Sequence, residues 1–150
     1  MDRDELTRRE AEAWAGFHGL VVALGPEHLE RPGVNVEGWS AKDVLWHVAY
    51  WWDDLADTLE RLRAGTFEEP PEDEDETDAE NARVLEASRG MSLDDVERGL
   101  DRARARMLAA WAALPVVDDV AAKHFLWETV EHYEEHEPDL RRFAEELGSP

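Results

Sequence analysis

A chain of 150 residues, 43% hydrophobic and 35% charged, has enough apolar material for one packed core, so residues 1–150 are expected to form a single domain. Its formal net charge of −21 repels phosphate backbones and anionic lipid, which argues against nucleic-acid and membrane-surface partners. Cysteine is absent, so disulfides, thiolate metal ligands and cysteine nucleophiles are excluded, and any thiol chemistry needs an external thiol.

Helical period dominates the chain and strand-like alternation is nearly missing. A first helix is expected from Arg3 to Leu24, with Leu6, Ala13, Phe17, Leu20, Val21 and Leu24 on one stripe, ended by Gly25-Pro26. After an irregular stretch, Ser40 with Asp43 forms a capping-box variant that opens a second helix, Ala41 to Ala64. Its inward stripe is Val44, Val48, Trp51, Leu55 and Leu62. Residues 68–80 read E-E-P-P-E-D-E-D-E-T-D-A-E, a self-repelling acidic run expected to be a flexible loop, followed by a short helix near Ala79 to Arg89. Ser92 with Asp95 caps a further helix carrying Leu93, Val96, Leu100, Ala103, Met107, Trp111 and Leu114, which Pro115 ends. Asp118 or Asp119 caps the last helix, expected to run from Val120 to Leu147 with a kink at Pro138. The order of elements is that of an all-α four-helix bundle with one short additional helix and an acidic loop.

Three histidines fall on buried stripes. His132 and His136 are one turn apart in E-T-V-E-H-Y-E-E-H-E-P-D-L, sharing a face with Thr129, Leu140, Phe143 and Leu147. His47 lies among Val44, Val48 and Trp51 on the second helix. Burying three imidazoles is costly unless their lone pairs are used, and a metal ion is one such use. His18 and His28 are expected at the surface, and His124 points off the seam. The stretch H-Y-E-E-H also fits the H-x-x-E-H pattern of inverted zinc proteases with Glu135 as base, but that pattern needs a carboxylate ligand well downstream and only residues 137–150 follow.

The segment G-W-S-A-K-D-V-L-W-H, Gly38 to His47, resembles the second-helix signature of the DinB-like superfamily, and H-Y-E-E-H-E-P-D-L, His132 to Leu140, resembles its last-helix signature. That superfamily includes the DinB proteins, bacillithiol-transferase-like proteins and the metal-binding domain of mycothiol-dependent maleylpyruvate isomerases. The resemblance covers essentially the whole chain. It implies that His47, His132 and His136 bind one divalent metal, and that Trp39, Ser40 and Asp43 set the register of the second helix. Without the isomerases' C-terminal domain in these 150 residues, the expectation carried over is the shared metal-binding bundle rather than the isomerase activity.

An all-imidazole site keeps coordination positions open, as catalytic zinc sites do. Zinc and nickel suit imidazole best, with iron, cobalt and manganese as alternatives. The expected cosubstrates are a low-molecular-weight thiol (mycothiol, bacillithiol or glutathione) and a small electrophile, joined by a metal-dependent S-transferase. Glu128, four residues before His132, is placed to orient that ring. The rival expectation is a non-catalytic metal-binding or structural bundle in stress response or dimeric assembly. A homodimer would cover those rings of Trp46, Trp51 and Trp52 that one core cannot bury. No apolar run reaches the roughly 18–20 residues of a membrane span, and the N-terminus has no apolar signal core, so a cytoplasmic location is expected.

Overall fold

The computed structural model describes residues 2–148 and is all-α: among these residues there is no strand. Its helices are α1 (Arg3–Ala23), α2 (Ala41–Ala64), α3 (Glu74–Arg89), α4 (Leu93–Ala113), α5 (Asp119–Glu128) and α6 (Val130–Gly148), with a 3-10 turn at Pro26–His28. The chain divides into two compact units. One holds the residues up to Val44 together with those from Val117 onward, and the other runs from Leu45 to Val116.

The first unit packs α1, α5 and α6 against one another. Leu6, Phe17 and Val21 of α1 are buried, as are Ala121 and Phe125 of α5 and Tyr133, Leu140 and Phe143 of α6. Tyr133 stacks on Phe17 at 5.5 Å and tilts against Trp14 at 5.4 Å, while its hydroxyl donates to the Glu10 carboxylate at 3.1 Å. Glu10 is fully buried on α1, a position where periodicity alone gave no reason to expect a carboxylate. The Tyr133 hydroxyl supplies the kind of donor that a buried carboxylate requires.

The stretch between α1 and α2 is tied down by specific bonds. Gly25 and Gly38 take positive φ, 86° and 82°. The Asn35 side chain accepts from the backbone N–H groups of Glu37 and Trp39, and the Trp39 carbonyl accepts from Gly33 and Val34. Arg142 of α6 donates to the Val34 carbonyl. At the start of α2 the capping box closes in both directions: Asp43 N–H donates to Ser40 Oγ at 3.1 Å, and Ser40 N–H donates to Asp43 Oδ2 at 2.9 Å. Lys42 N–H reaches the Leu29 carbonyl at 2.8 Å, and Lys42 Nζ pairs with Glu30 at 3.1 Å. The first residue of α2 is therefore fixed, and the register of everything along that helix follows.

In the second unit the buried face of α2 is wider than one stripe. Leu45, Val48, Ala49, Trp52, Leu55, Ala56 and Leu59 are all buried. Trp52 is fully buried in the core, whereas Trp51 sits at the edge of the arc and is half-buried. The sequence pattern placed Trp51 in the core because it matched a single helical stripe. Leu62 likewise is only half-buried. Trp46 packs onto α4 at Gly99, where an added Cβ would stand 2.6 Å from the indole ring, so the close approach needs glycine. Arg104 lies over the Trp52 ring at 6.0 Å. On the surface, Arg106 bonds Asp53, Asp57 and Glu60 at 3.4, 2.5 and 3.1 Å. The hydrogen bond to Asp57 leads in raising its pKa above the ordinary arginine value; burial opposes the rise, and Glu60 adds to it. Such exposed pairs contribute little stability each.

Two expected boundaries differ. Helix α3 starts at Glu74 rather than near Ala79, so half of the acidic run is helical. Asp73 Oδ1 caps it by accepting from Glu76 N–H at 3.1 Å, and Glu74, Asp75 and Glu76 lie in the first turn, where the helix dipole favours negative charge. Charge that repels in a coil thus has a favourable place at a helix start. The expected last helix is also two helices, because the chain breaks at Thr129, while α6 runs on through Pro138.

Candidate metal centre

The break at Thr129 combines a hydrogen bond between close neighbours with a buried setting. Its hydroxyl donates to the Phe125 carbonyl at 2.6 Å, the acceptor its own N–H would use in an α-helix. The N–H turns instead to Leu126 O at 3.3 Å, three residues back. A threonine side chain competing for the i−4 carbonyl destabilises and bends helices. Here it coincides with a backbone at φ −122° and ψ −97°, outside the helical region. Helix α6 then starts afresh, with Tyr133 N–H donating to Thr129 O at 2.9 Å. Thr129 is fully buried, so this junction is a fixed corner.

His132 and His136 follow in the first two turns of α6. Their ring centroids are 4.8 Å apart and their Nε2 atoms face each other at 3.0 Å. His132 is 7% exposed and His136 is partly buried. Burial pushes the His132 pKa down to about 3; the neighbouring His136 adds to the drop, and a hydrogen bond to the Glu128 backbone opposes it. Burial also lowers the pKa of His136, against the pull of Glu135 and Asp139. Both imidazoles are consequently neutral near pH 7, the state in which a ring nitrogen can act as a ligand. The Glu128 carboxylate stands 4.0 Å from His132 Nδ1, beyond hydrogen-bond reach but close enough to favour an N–H at that atom.

His47 is 6% exposed, on the second turn of α2. Its ring meets that of Trp51 edge-on, with centroids 6.4 Å apart. One potential ligand atom from each of His47, His132 and His136 lies within 4.8 Å of the other two. Among the described residues this group is the one that gathers the three histidines that the sequence singled out; His124, which stacks edge-on against Trp127 at 5.8 Å, is not in it. His28, expected at the surface, is only part-exposed and bonds the Leu24 carbonyl through Nδ1 at 2.7 Å.

The donor set fits a divalent ion. Metal–imidazole bonds of about 2.0–2.1 Å in tetrahedral geometry put ligand nitrogens about 3.3 Å apart. The His132–His136 pair at 3.0 Å is already near that separation. Three protein nitrogens also leave a coordination position open.

These features define a class: an all-α protein of the DinB-like type with a three-histidine group suited to a divalent metal. The model of the mycothiol maleylpyruvate isomerase N-terminal domain matches residues 11–145, and the chain belongs to that family of DinB-like metal-binding domains. No curated protein and no solved structure matches it. No helix among the described residues is long and apolar enough to cross a membrane.

Proposed function

We propose that His47, His132 and His136 together hold one divalent metal ion, zinc or nickel by the preference of imidazole, and that the protein is a thiol S-transferase acting on a small electrophile in the cytoplasm. The observation that carries the reading is the facing Nε2 pair at 3.0 Å, held neutral by burial, with a nitrogen of His47 within 4.8 Å. The chemistry a metal supplies in an open all-imidazole site is Lewis acidity, enough to keep a bound thiol as its thiolate at neutral pH.

The chain's own residues set the conditions for it. Burial of His132 and His136 keeps protons off the two donor nitrogens. The Glu128 carboxylate on the far side of His132 favours the tautomer whose Nε2 lone pair is free for the metal. With no cysteine in the chain, the sulfur nucleophile comes from outside. Its electron pair forms the new S–C bond and the displaced group leaves with its own pair. Membership of a mycothiol-linked family makes mycothiol the first thiol to try, ahead of bacillithiol and glutathione. A homodimer is part of the same proposal.

The test is metal content and thiol consumption in protein purified without a histidine tag. About one ion per chain, lost in His132→Ala, and thiol consumption that falls with it, are the expected results. Bound metal with no thiol consumption would leave a metal-binding bundle without transferase chemistry. A metal-free protein whose stability ignores chelator would remove the metal as well.

A further inference from the structure

A side-chain hydrogen bond joins helix α3 to the site helix. The indole N–H of Trp51 donates to Asn81 Oδ1 at 2.9 Å, a side-chain bond between α2 and α3 across 30 positions of chain. An indole nitrogen only donates, so the amide oxygen of Asn81 must face it. Trp51 is one turn after His47 on α2, and helical side chains lean toward the N-terminus, which brings the indole back over the His47 ring. The rings meet edge to face at 6.4 Å and 65°, within the range of favourable aromatic pairs. Tyr50 meets the same indole edge-on at 5.2 Å and 89°. Trp51 is not a core residue, since the neighbouring Trp52 takes that place. Its position is fixed by the bond to Asn81 and by its aromatic neighbours.

We propose that Trp51, locked by Asn81, is a positioning residue that holds the His47 imidazole in one orientation. This gives α3 a role in the site: its first turn carries Glu74, Asp75 and Glu76, and Asn81 at the start of its third turn carries the amide that clamps the wall beside His47. The inference deepens the metal-site reading and rests on it for its consequence, because an oriented ring binds an ion more tightly than one free to turn.

The experiment uses the full chain and has one readout that needs no metal. Imidazole 15N and 1H resonances of His47 are recorded in metal-free protein, assigned through His47→Gln, along with exchange of the Trp51 indole N–H. Asn81→Leu removes the acceptor at similar size, and Asn81→Asp retains an oxygen. The Leu variant should expose the indole N–H to fast exchange, shift or broaden the His47 ring signals, and weaken zinc binding by about tenfold. Asp should restore all three toward wild type, and the midpoint of thermal unfolding should change far less than zinc affinity does. Ring signals of His47 that ignore Asn81→Leu, in a folded protein whose indole N–H has been released, would overturn the proposal. Trp51→Phe, which keeps a ring and loses the N–H, checks the same point should the Leu variant not fold. If the signals move as expected but wild-type protein takes up no zinc, the orientation stands and the metal reading falls.

Discussion

The two helices that carry the histidines reach the same result by opposite means. Helix α2 is uninterrupted for 24 residues, and its start is set by a reciprocal capping box, so His47 is placed by counting from Ser40. Helix α6 is placed by a defect, since its predecessor stops at Thr129 when a hydroxyl takes the Phe125 carbonyl. The face on which His132 and His136 fall is fixed only from that corner onward. The start of α2 is set mostly by close sequence neighbours, with a further bond from Lys42 N–H to the Leu29 carbonyl. A corner depends on being buried, because the competing hydroxyl bond holds the backbone off its helical path only where water does not offer the groups an alternative.

Alanine at the histidines probes both sides of this contrast with the largest effect. His132→Ala and His136→Ala should each lower zinc affinity on the order of a hundredfold or more, beyond what loss of a supporting residue costs. His47→Ala should match them if both helices supply true ligands, and isothermal titration against a competing chelator reads the difference.

Acidification separates the helices next. In metal-free protein the depressed pKa of His132 means that the unfolded chain binds the proton more readily. The stability linked to neutral His132 is complete above its ordinary value near 6.5 and is lost as the pH falls toward about 3. Between pH 7.5 and 4.5 the urea midpoint of wild type should fall relative to that of His132→Phe. The comparison with the variant cancels the general effect of protonating the many carboxylates. A constant gap across that range would contradict a buried neutral imidazole at the start of α6.

Thr129→Val tests the corner itself. It removes the hydroxyl at constant shape and leaves the Phe125 carbonyl to find another partner, at a cost of about 1–3 kcal/mol. Zinc affinity should fall together with stability, because the α6 histidines depend on the corner. Ser40→Ala is the counterpart on α2 and should cost about 1 kcal/mol. Zinc affinity should hardly change, since the Lys42 N–H bond to Leu29 still fixes the first turn. A larger loss of affinity from Ser40→Ala than from Thr129→Val would reverse the contrast.

The same contrast decides what could be read from the sequence. Ser40 and Asp43 announce α2 through chemistry between close neighbours, and the apolar residues around His47 mark its face, so that helix and its histidine were legible. His132 and His136 were legible as an i, i+4 pair on an apolar stripe, and the order of the two motifs supplied the family. The corner was not legible, because a threonine inside a helical pattern becomes a break only through a tertiary setting that a single chain of letters does not display. Glu10 was missed for a related reason: its hydroxyl partner, Tyr133, lies 123 residues away. The start of α3 lies earlier than charge repulsion alone implies, because Asp73 and the dipole give three acidic residues a favourable position. The single-stripe pattern points to Trp51 as a core residue, whereas Trp52 is fully buried and Trp51 is tied to Asn81.

The capping box also governs where this chain can tolerate changes in length. Each residue adds about 100° of rotation along a helix. A single codon gained or lost between Asp43 and His47 would turn the imidazole away from its place while leaving composition, charge and helix content almost untouched. The exposed segment between Gly65 and Asp73 has no such arithmetic, and relatives of different length are expected to differ there. Alignments that open a gap inside the first two turns of α2 would therefore be describing proteins without this site.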